Sequence, residues 1–161
     1  AELHHPMFDL SICTSLRTGI MAGALCPVEL MKQVEEKMFM KVTSVYGLTV
    51  ASPGMTHTRI DDPEEVRFTT VGRDFEFTEV RVIDPETGEE CPVGVQGEMC
   101  NRGYNTMKGY YKNPEATAEV IDANGFLHSG DLGVKDENGN YRITGTYQGH
   151  DYPRWREYLS A

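Results

Sequence analysis

No stretch of about 18 consecutive apolar residues occurs in this 161-residue sequence, which excludes a transmembrane helix. Positive charge is short: 15 basic side chains face 25 acidic ones, a formal charge of -10. Such a chain repels a phosphate backbone, which excludes nucleic acid as a general partner. A single nucleotide is not excluded, because helix N-termini and backbone amides bind one phosphate group without a basic surface. Cysteine is sparse as well. Cys13, Cys26, Cys91 and Cys100 form no C-x-x-C pair and no repeated spacing. That pattern excludes a zinc ribbon or a disulfide-dense secreted scaffold, and it predicts buried structural thiols in a reducing, cytoplasmic setting. The sequence lacks G-x-x-x-x-G-K-[ST], G-x-G-x-x-G, H-E-x-x-H and G-x-S-x-G. His4, His5, His57 and His150 have no neighbouring metal ligands in sequence and are expected at the surface. The chain also lacks internal repeats and low-complexity tracts. Its start, Ala1-Glu2-Leu3-His4-His5, is neither an initiator methionine nor a signal peptide, and points to a segment of a longer protein.

What is present fits a packed globular chain, with 39% hydrophobic and 25% charged residues. A β-leaning stretch, Leu16-Arg17-Thr18-Gly19-Ile20, leads into the small residues Ala22-Gly23-Ala24. Pro27 suits a first helical position, Met31, Val34 and Met38 form one apolar stripe, and Lys32 and Glu36 can pair on the outer face. Lys41 to Val45 reads as a strand ending at Tyr46-Gly47. Strand, helix, strand in this order is a βαβ unit of a parallel sheet. Asp61 to Glu65 is a charged loop, where a subdomain boundary is expected. Beyond it, Val66–Val71, Phe77–Ile83, Gly97–Asn101, Phe126–His128 and Tyr141–Thr144 read as short strands, with a turn at Asp84-Pro85-Glu86-Thr87-Gly88 and a hairpin through Asp136-Glu137-Asn138-Gly139-Asn140. One helix interrupts them, with Asn113 as N-cap, Pro114 as first residue and Gly125 as its stop after Val120-Ile121. The fold class expected is α+β: a partial α/β layer over 1–60, a small antiparallel β-barrel over 61–145, and a polar tail over 146–161 carrying Trp155, with a short helix from Pro153 to Leu159.

Two local patterns have chemical content. Tyr46-Gly47-Leu48-Thr49 follows a strand at its C-terminal end, where open α/β sheets bind ligands. A Tyr ring stacks on a base, Gly allows close backbone approach and a Thr hydroxyl donates to phosphate. In His128-Ser129-Gly130-Asp131-Leu132-Gly133, an Asp between glycines can accept from a ribose diol. Taken singly, each also fits an ordinary turn.

The order of these segments resembles the adenylate-forming superfamily of acyl- and aryl-CoA synthetases, luciferases and peptide-synthetase adenylation domains. The matching segments include Leu16-Arg17-Thr18-Gly19-Ile20, Tyr46-Gly47-Leu48-Thr49, Thr70-Val71-Gly72-Arg73 and Val80-Arg81-Val82-Ile83-Asp84-Pro85-Glu86-Thr87-Gly88. They continue through Gly97-Glu98, Arg102-Gly103, Met107-Lys108-Gly109-Tyr110-Tyr111-Lys112-Asn113-Pro114-Glu115-Ala116-Thr117, His128-Ser129-Gly130-Asp131-Leu132 and Tyr141-Arg142-Ile143-Thr144-Gly145, so that residues 3–145 are covered. The resemblance implies a ligase that joins ATP and a carboxylic acid, fatty in style, into an acyl-adenylate and then transfers the acyl group to coenzyme A. It also implies that Gly23 and Ala24 line the adenine site, Tyr46 stacks on the base with Gly47 beside it in the nucleotide site, Thr49 contacts the α-phosphate, Asp131 holds the ribose hydroxyls and Ile143 packs near the nucleoside.

Two positions depart from that pattern. Val50 stands where such enzymes carry a Glu that helps hold Mg²⁺, and Val has no oxygen to offer. Thr146 stands where a ribose-binding Arg is expected. The phosphate loop and the C-terminal domain with its catalytic Lys fall outside this sequence. The isolated chain is therefore expected to be inactive and to self-associate through an uncovered α/β face. The alternative reading is a degenerate, non-catalytic homologue that binds nucleotide, acyl group or a protein partner.

Overall fold

The computed structural model describes His5 and residues 14–147. Strand β1 (Thr18–Met21) and strand β2 (Lys41–Tyr46) pair in parallel, from Thr18 opposite Lys41 to Met21 opposite Ser44. Helix α1 (Val28–Met38) makes the crossover, completing the βαβ unit read from the sequence. Its stripe is why it forms here: Met31 and Val34 are buried against Val42 and Phe68, with Met38 packed alongside. Pro27 sits one place earlier than expected, as the extended N-cap whose carbonyl accepts from the Leu30 and Met31 amides. Lys32 reaches Glu64 across the helix pair at 4.0 Å instead of Glu36 on its own helix.

Strand β3 (Thr56–His57) pairs antiparallel with β2 and strand β4 (Arg73–Asp74) antiparallel with β3, extending this sheet in the order β1-β2-β3-β4. His57 is therefore a half-buried strand residue stacked on Phe75, with ring centroids 4.5 Å apart, and not the surface histidine expected from the sequence. The expected strand at Val66–Val71 is instead helix α2 (Glu64–Thr69). Pro63 caps it, Glu64 and Glu65 lie in its first turn against the helix dipole, and the Thr69 and Thr70 hydroxyls donate back to carbonyls four residues earlier. Burial of Phe68 and Arg67 beside α1 outweighs the strand preference of the β-branched residues.

The second sheet is an antiparallel meander of β5 (Thr78–Ile83), β6 (Gly97–Gly103), β7 (Leu127–Lys135) and β8 (Tyr141–Thr146), in the order β5-β6-β7-β8. It is not the closed barrel expected from the sequence: closure needs β5 and β8 to pair, and each has a ladder partner on one side only. Tyr141 fills the position between them. Fully buried, it donates from its hydroxyl to the Val80 carbonyl at 2.7 Å, while its backbone exchanges two 2.8 Å hydrogen bonds with Val71 and Gly72. The same residue thus ties β8 to β5 by its side chain and to the segment leading into β4 by its backbone.

Between β6 and β7, helix α3 (Pro114–Val120) starts as read, with the Asn113 side chain accepting from the Ala116 amide and Pro114 as first residue. It ends at Val120, and Ile121 is already extended; Gly125 closes a later turn from Asp122. The β7–β8 hairpin turns through Asp136, whose carboxylate accepts from the Asn138 and Asn140 amides. Among the described cysteines Cys100 is buried, and Cys26 and Cys91 are half-buried free thiols; Cys13 lies outside the described residues, as do His4, His150, Trp155 and the helix expected at Pro153–Leu159. Among the described residues, no helix is long and apolar enough to cross a membrane.

Candidate functional site

Strand β2 ends at Tyr46, and the chain turns sharply there. A side-chain carbon at Gly47 would lie 2.0 Å from the Pro53 carbonyl oxygen, so only glycine lets the loop close this tightly. A single 3-10 turn at Thr49–Ala51 follows, with Thr49 exposed at its start. The next residue, Val50, is half-buried and packs against the main core around Ala51, Met55 and Met99. Its isopropyl group has no donor for a divalent cation, so this position does not fit the Mg²⁺ that the family resemblance implies.

The Tyr46 side chain reaches the second sheet, where its hydroxyl donates to Asp131 Oδ2 at 2.9 Å. Burial, and then the neighbouring Asp131 carboxylate, push the Tyr46 phenol well above its ordinary range, so it stays a donor at any working pH. Asp131 lies within β7 but out of its ladder with β6. Glu98 opposes Leu132 and Cys100 opposes His128, so β7 carries two more residues than β6 between those pairs. Ser129, Gly130 and Asp131 form the resulting bulge, with Gly130 at φ +73. On its other side Asp131 pairs with Thr146 of β8, whose hydroxyl approaches Asp131 Oδ1 at 3.3 Å.

Side-chain and backbone groups replace the ladder bonds that the bulge interrupts. Glu98, 1% exposed, accepts from the Gly130 amide on Oε1 at 2.8 Å and lies 2.8 Å from His128 Nδ1 on Oε2. Ser129 Oγ accepts from the Asp131 amide at 3.0 Å, and the Tyr147 amide donates to the Gly130 carbonyl at 2.8 Å. The Glu98 hydrogen bond raises the His128 imidazole pKa against the opposing effect of burial. Cys100 Sγ lies 3.4 Å from the same ring nitrogen, and burial pushes its thiol far up. Glu98, Cys100 and His128 bring three ligand-type atoms within 4.8 Å, but the three atoms already engage one another and the backbone.

Of the residues read from the sequence, Tyr46 and Asp131 are joined directly. Gly47 and Thr49 follow Tyr46 in the same loop. Gly23 and Ala24 are exposed just past β1; continuing the parallel register from Met21 opposite Ser44 sets Gly23 level with Tyr46 at the same edge of the sheet. Ile143 pairs with Gly133 and packs half-buried against the main core. Thr146, in the sequence a departure from the family pattern, joins this site through Asp131, and Glu98 and His128 are further members that no sequence motif marks. A carboxylate in the apolar run Gly97-Glu98-Met99-Cys100 was the available signal, since Glu is almost never fully buried without partners.

A sequence profile of the AMP-binding enzyme family matches residues 3–111. YngI of Bacillus subtilis (strain 168), which bears an acyl-CoA synthetase name, is 53% identical over 146 residues, covering 90% of this chain and 27% of that protein. The acyl-CoA ligase sidI of Aspergillus fumigatus is 43% identical over 148 residues, covering 89% of this chain and 24% of that protein. The chain therefore spans about a quarter of the length of the curated relatives it matches. Among solved structures, apo MatB from Rhodopseudomonas palustris aligns with a TM-score of 0.79 at 31% identity, over 92% of this chain and 29% of that one.

Proposed function

This chain belongs to the AMP-binding enzyme family, and from that premise we infer that it supplies the nucleoside-binding wall of an ATP-dependent acid–thiol ligase. The observation that carries the reading is the Tyr46–Asp131 hydrogen bond at the C-terminal edge of the parallel strands. Held by Asp131, the Tyr46 ring offers a fixed aromatic face for adenine. An ionised Asp131 accepts from the ribose hydroxyls, and the 3.3 Å Thr146 contact is long enough to give way to one of them. Gly23 and Ala24 leave space beside the base; a side-chain carbon at Gly23 would meet nothing within 4 Å. Thr49, exposed in the loop after Tyr46, would donate to the α-phosphate, and Ile143 would back the nucleoside from β8.

The reaction class is attack of a carboxylate oxygen on the α-phosphorus of ATP, with pyrophosphate leaving, followed by attack of the coenzyme A thiol on the acyl carbon, with AMP leaving. This chain's share is to bind and orient the adenylate. The Val50 side chain offers no oxygen to hold Mg²⁺ at that position. The carboxylic acid is proposed to be fatty, in keeping with the acyl-CoA ligase names of the relatives.

A second reading has its own observation. Val50 and Thr146 replace the two polar side chains that the family pattern expects around the nucleotide, which suits a homologue that binds without turnover. ATP–pyrophosphate exchange with a panel of carboxylic acids, in a polypeptide carrying this chain and the remaining length of its relatives, separates the two. Exchange with one class of acid is the expected result. Nucleotide binding without exchange for any acid would favour the second reading.

A further inference from the structure

We propose that Glu98 is the positioning residue of the nucleoside site: its buried carboxylate takes the place of the missing β6 partner for the Gly130 amide and so fixes the bulge that presents Asp131. The inference rests on the nucleotide reading above but concerns a residue to which that reading gives no role.

An antiparallel ladder leaves no backbone acceptor for a residue that bulges out of it, and a buried amide without an acceptor costs about 1–3 kcal/mol. Gly130, half-buried, bulges out of the ladder in this way. It is one of three residues standing opposite a single residue of β6, and its amide points at Glu98 Oε1, not at a strand carbonyl. Glu98 is two residues before Cys100 on β6 and shares a strand face with it, so its carboxylate lies under the bulge by register. At 1% exposure the carboxylate depends on protein partners, and it has two: the Gly130 amide and His128 Nδ1, both at 2.8 Å. His128 and Gly130 are the residues flanking Ser129 at the base of the bulge, so one carboxylate spans it. Charge assistance makes each hydrogen bond stronger than a neutral one. A neutral acceptor at residue 98 would still hold the Gly130 amide, whereas a methyl group would not.

The consequence reaches Asp131 through the backbone. The direction of its carboxylate follows from the φ +73 conformation at Gly130 and from the two bonds that hold the peptides on either side of that residue, Glu98 to its amide and Tyr147 to its carbonyl. Glu98 acts on the nucleotide only through the backbone at Gly130 and Asp131. Releasing it lets the bulge relax and turns Asp131 away from both Tyr46 and the ribose.

Two measurements on the 161-residue chain test this. In the unmodified protein, a trans-hydrogen-bond NMR correlation should connect the Gly130 amide to the Glu98 side-chain carboxyl carbon. The Gly130 amide should exchange with solvent about tenfold or more faster in Glu98→Ala and stay protected in Glu98→Gln. No correlation, or unchanged exchange in Glu98→Ala, overturns the proposal, and neither depends on nucleotide. AMP is then titrated into Glu98→Ala, Asp131→Ala and the double variant, with binding read as the initial slope of the induced shifts. Glu98→Ala should weaken AMP about tenfold, Glu98→Gln should restore most of the loss, and in the Asp131→Ala background Glu98→Ala should cost nothing further. Additive losses would assign Glu98 a general structural role and overturn the proposal. AMP binding that is indifferent to Asp131→Ala would instead defeat the nucleotide reading, leaving the Gly130 measurements to decide the place of Glu98.

Discussion

Tyr46 at the end of β2 and Asp131 in β7 are 85 residues apart in sequence and joined by one 2.9 Å hydrogen bond from phenol to carboxylate. The bond crosses from one sheet to the other, so the two halves of the proposed nucleoside site constrain each other before any ligand arrives.

Tyr46→Phe keeps the ring and removes the donor. Stability should fall by about 1.5 kcal/mol, typical of a hydrogen bond to a charged group. AMP binding should weaken as well, because Asp131 loses the partner that orients it. Urea denaturation and an AMP titration of the same sample measure both; a variant with unchanged binding would show that the ring alone matters.

Val50→Glu restores an oxygen ligand beside the loop after Tyr46. The half-buried carboxylate should cost about 1–2 kcal/mol of stability, because the valine packs against the core. ATP binding should become dependent on Mg²⁺ in the variant only. Calorimetry with and without the ion reads this directly, and an equal Mg²⁺ effect in the unmodified chain would mean that the cation binds elsewhere.

Acid should weaken the ion pair between buried Arg67 and half-buried Glu35. Glu35 accepts from the Arg67 guanidinium and, at 2.8 Å, from the Val42 amide, and Arg67 also donates to the Val42 carbonyl at 2.7 Å. Burial opposes ionisation of Glu35, but the Arg67 hydrogen bond, the Val42 amide and the charges of Arg67 and Lys41 together hold its pKa below the usual value. A depressed carboxylate contributes stability that is fully present above its unfolded-state pKa and is lost as pH falls through the folded value. Denaturation midpoints should therefore drop below about pH 4.5 in the unmodified chain. Glu35→Gln should lose part of that dependence and, by leaving the Arg67 charge buried, about 3 kcal/mol at neutral pH.

Self-association should be measurable. Strand β1 pairs only with β2 among the described residues, and Ile20 on it is 69% exposed, with Leu25 at 87% and Phe39 at 79% nearby in sequence. An open strand edge with apolar side chains invites a second chain. Elution on size exclusion should shift with concentration, and Ile20→Lys should shift it towards monomer. A concentration-independent monomer would contradict the expectation.

The parts of the fold set by local chemistry were readable in the sequence. The Met31–Val34–Met38 stripe, the Asn113-Pro114 start and the Asp136 turn each form for the reason their residue types suggest. Val66–Val71 was misread because its β-branched residues mimic a strand, while Pro63, two acidic residues and burial of Phe68 decide for helix. The barrel failed for a different reason: closure depends on whether the first and last strands meet, and here Tyr141 occupies the gap with a side chain. Tyr46 and Asp131 were singled out from their loops, and the structure joins them. Glu98 went unassigned because its importance depends on a two-residue surplus in β7, which no spacing along the chain reveals.

That surplus has a consequence for how the protein would evolve or be engineered. Deleting two residues from Ser129–Asp131 would let β6 and β7 run in continuous register, return the Gly130 position to a regular ladder and take its amide away from Glu98. Sequences shortened in this way should hold nucleotide worse and, with the Glu98 carboxylate left buried without the Gly130 amide, should lose stability unless residue 98 becomes apolar as well. The length of this strand and the side chain at residue 98 are expected to change together.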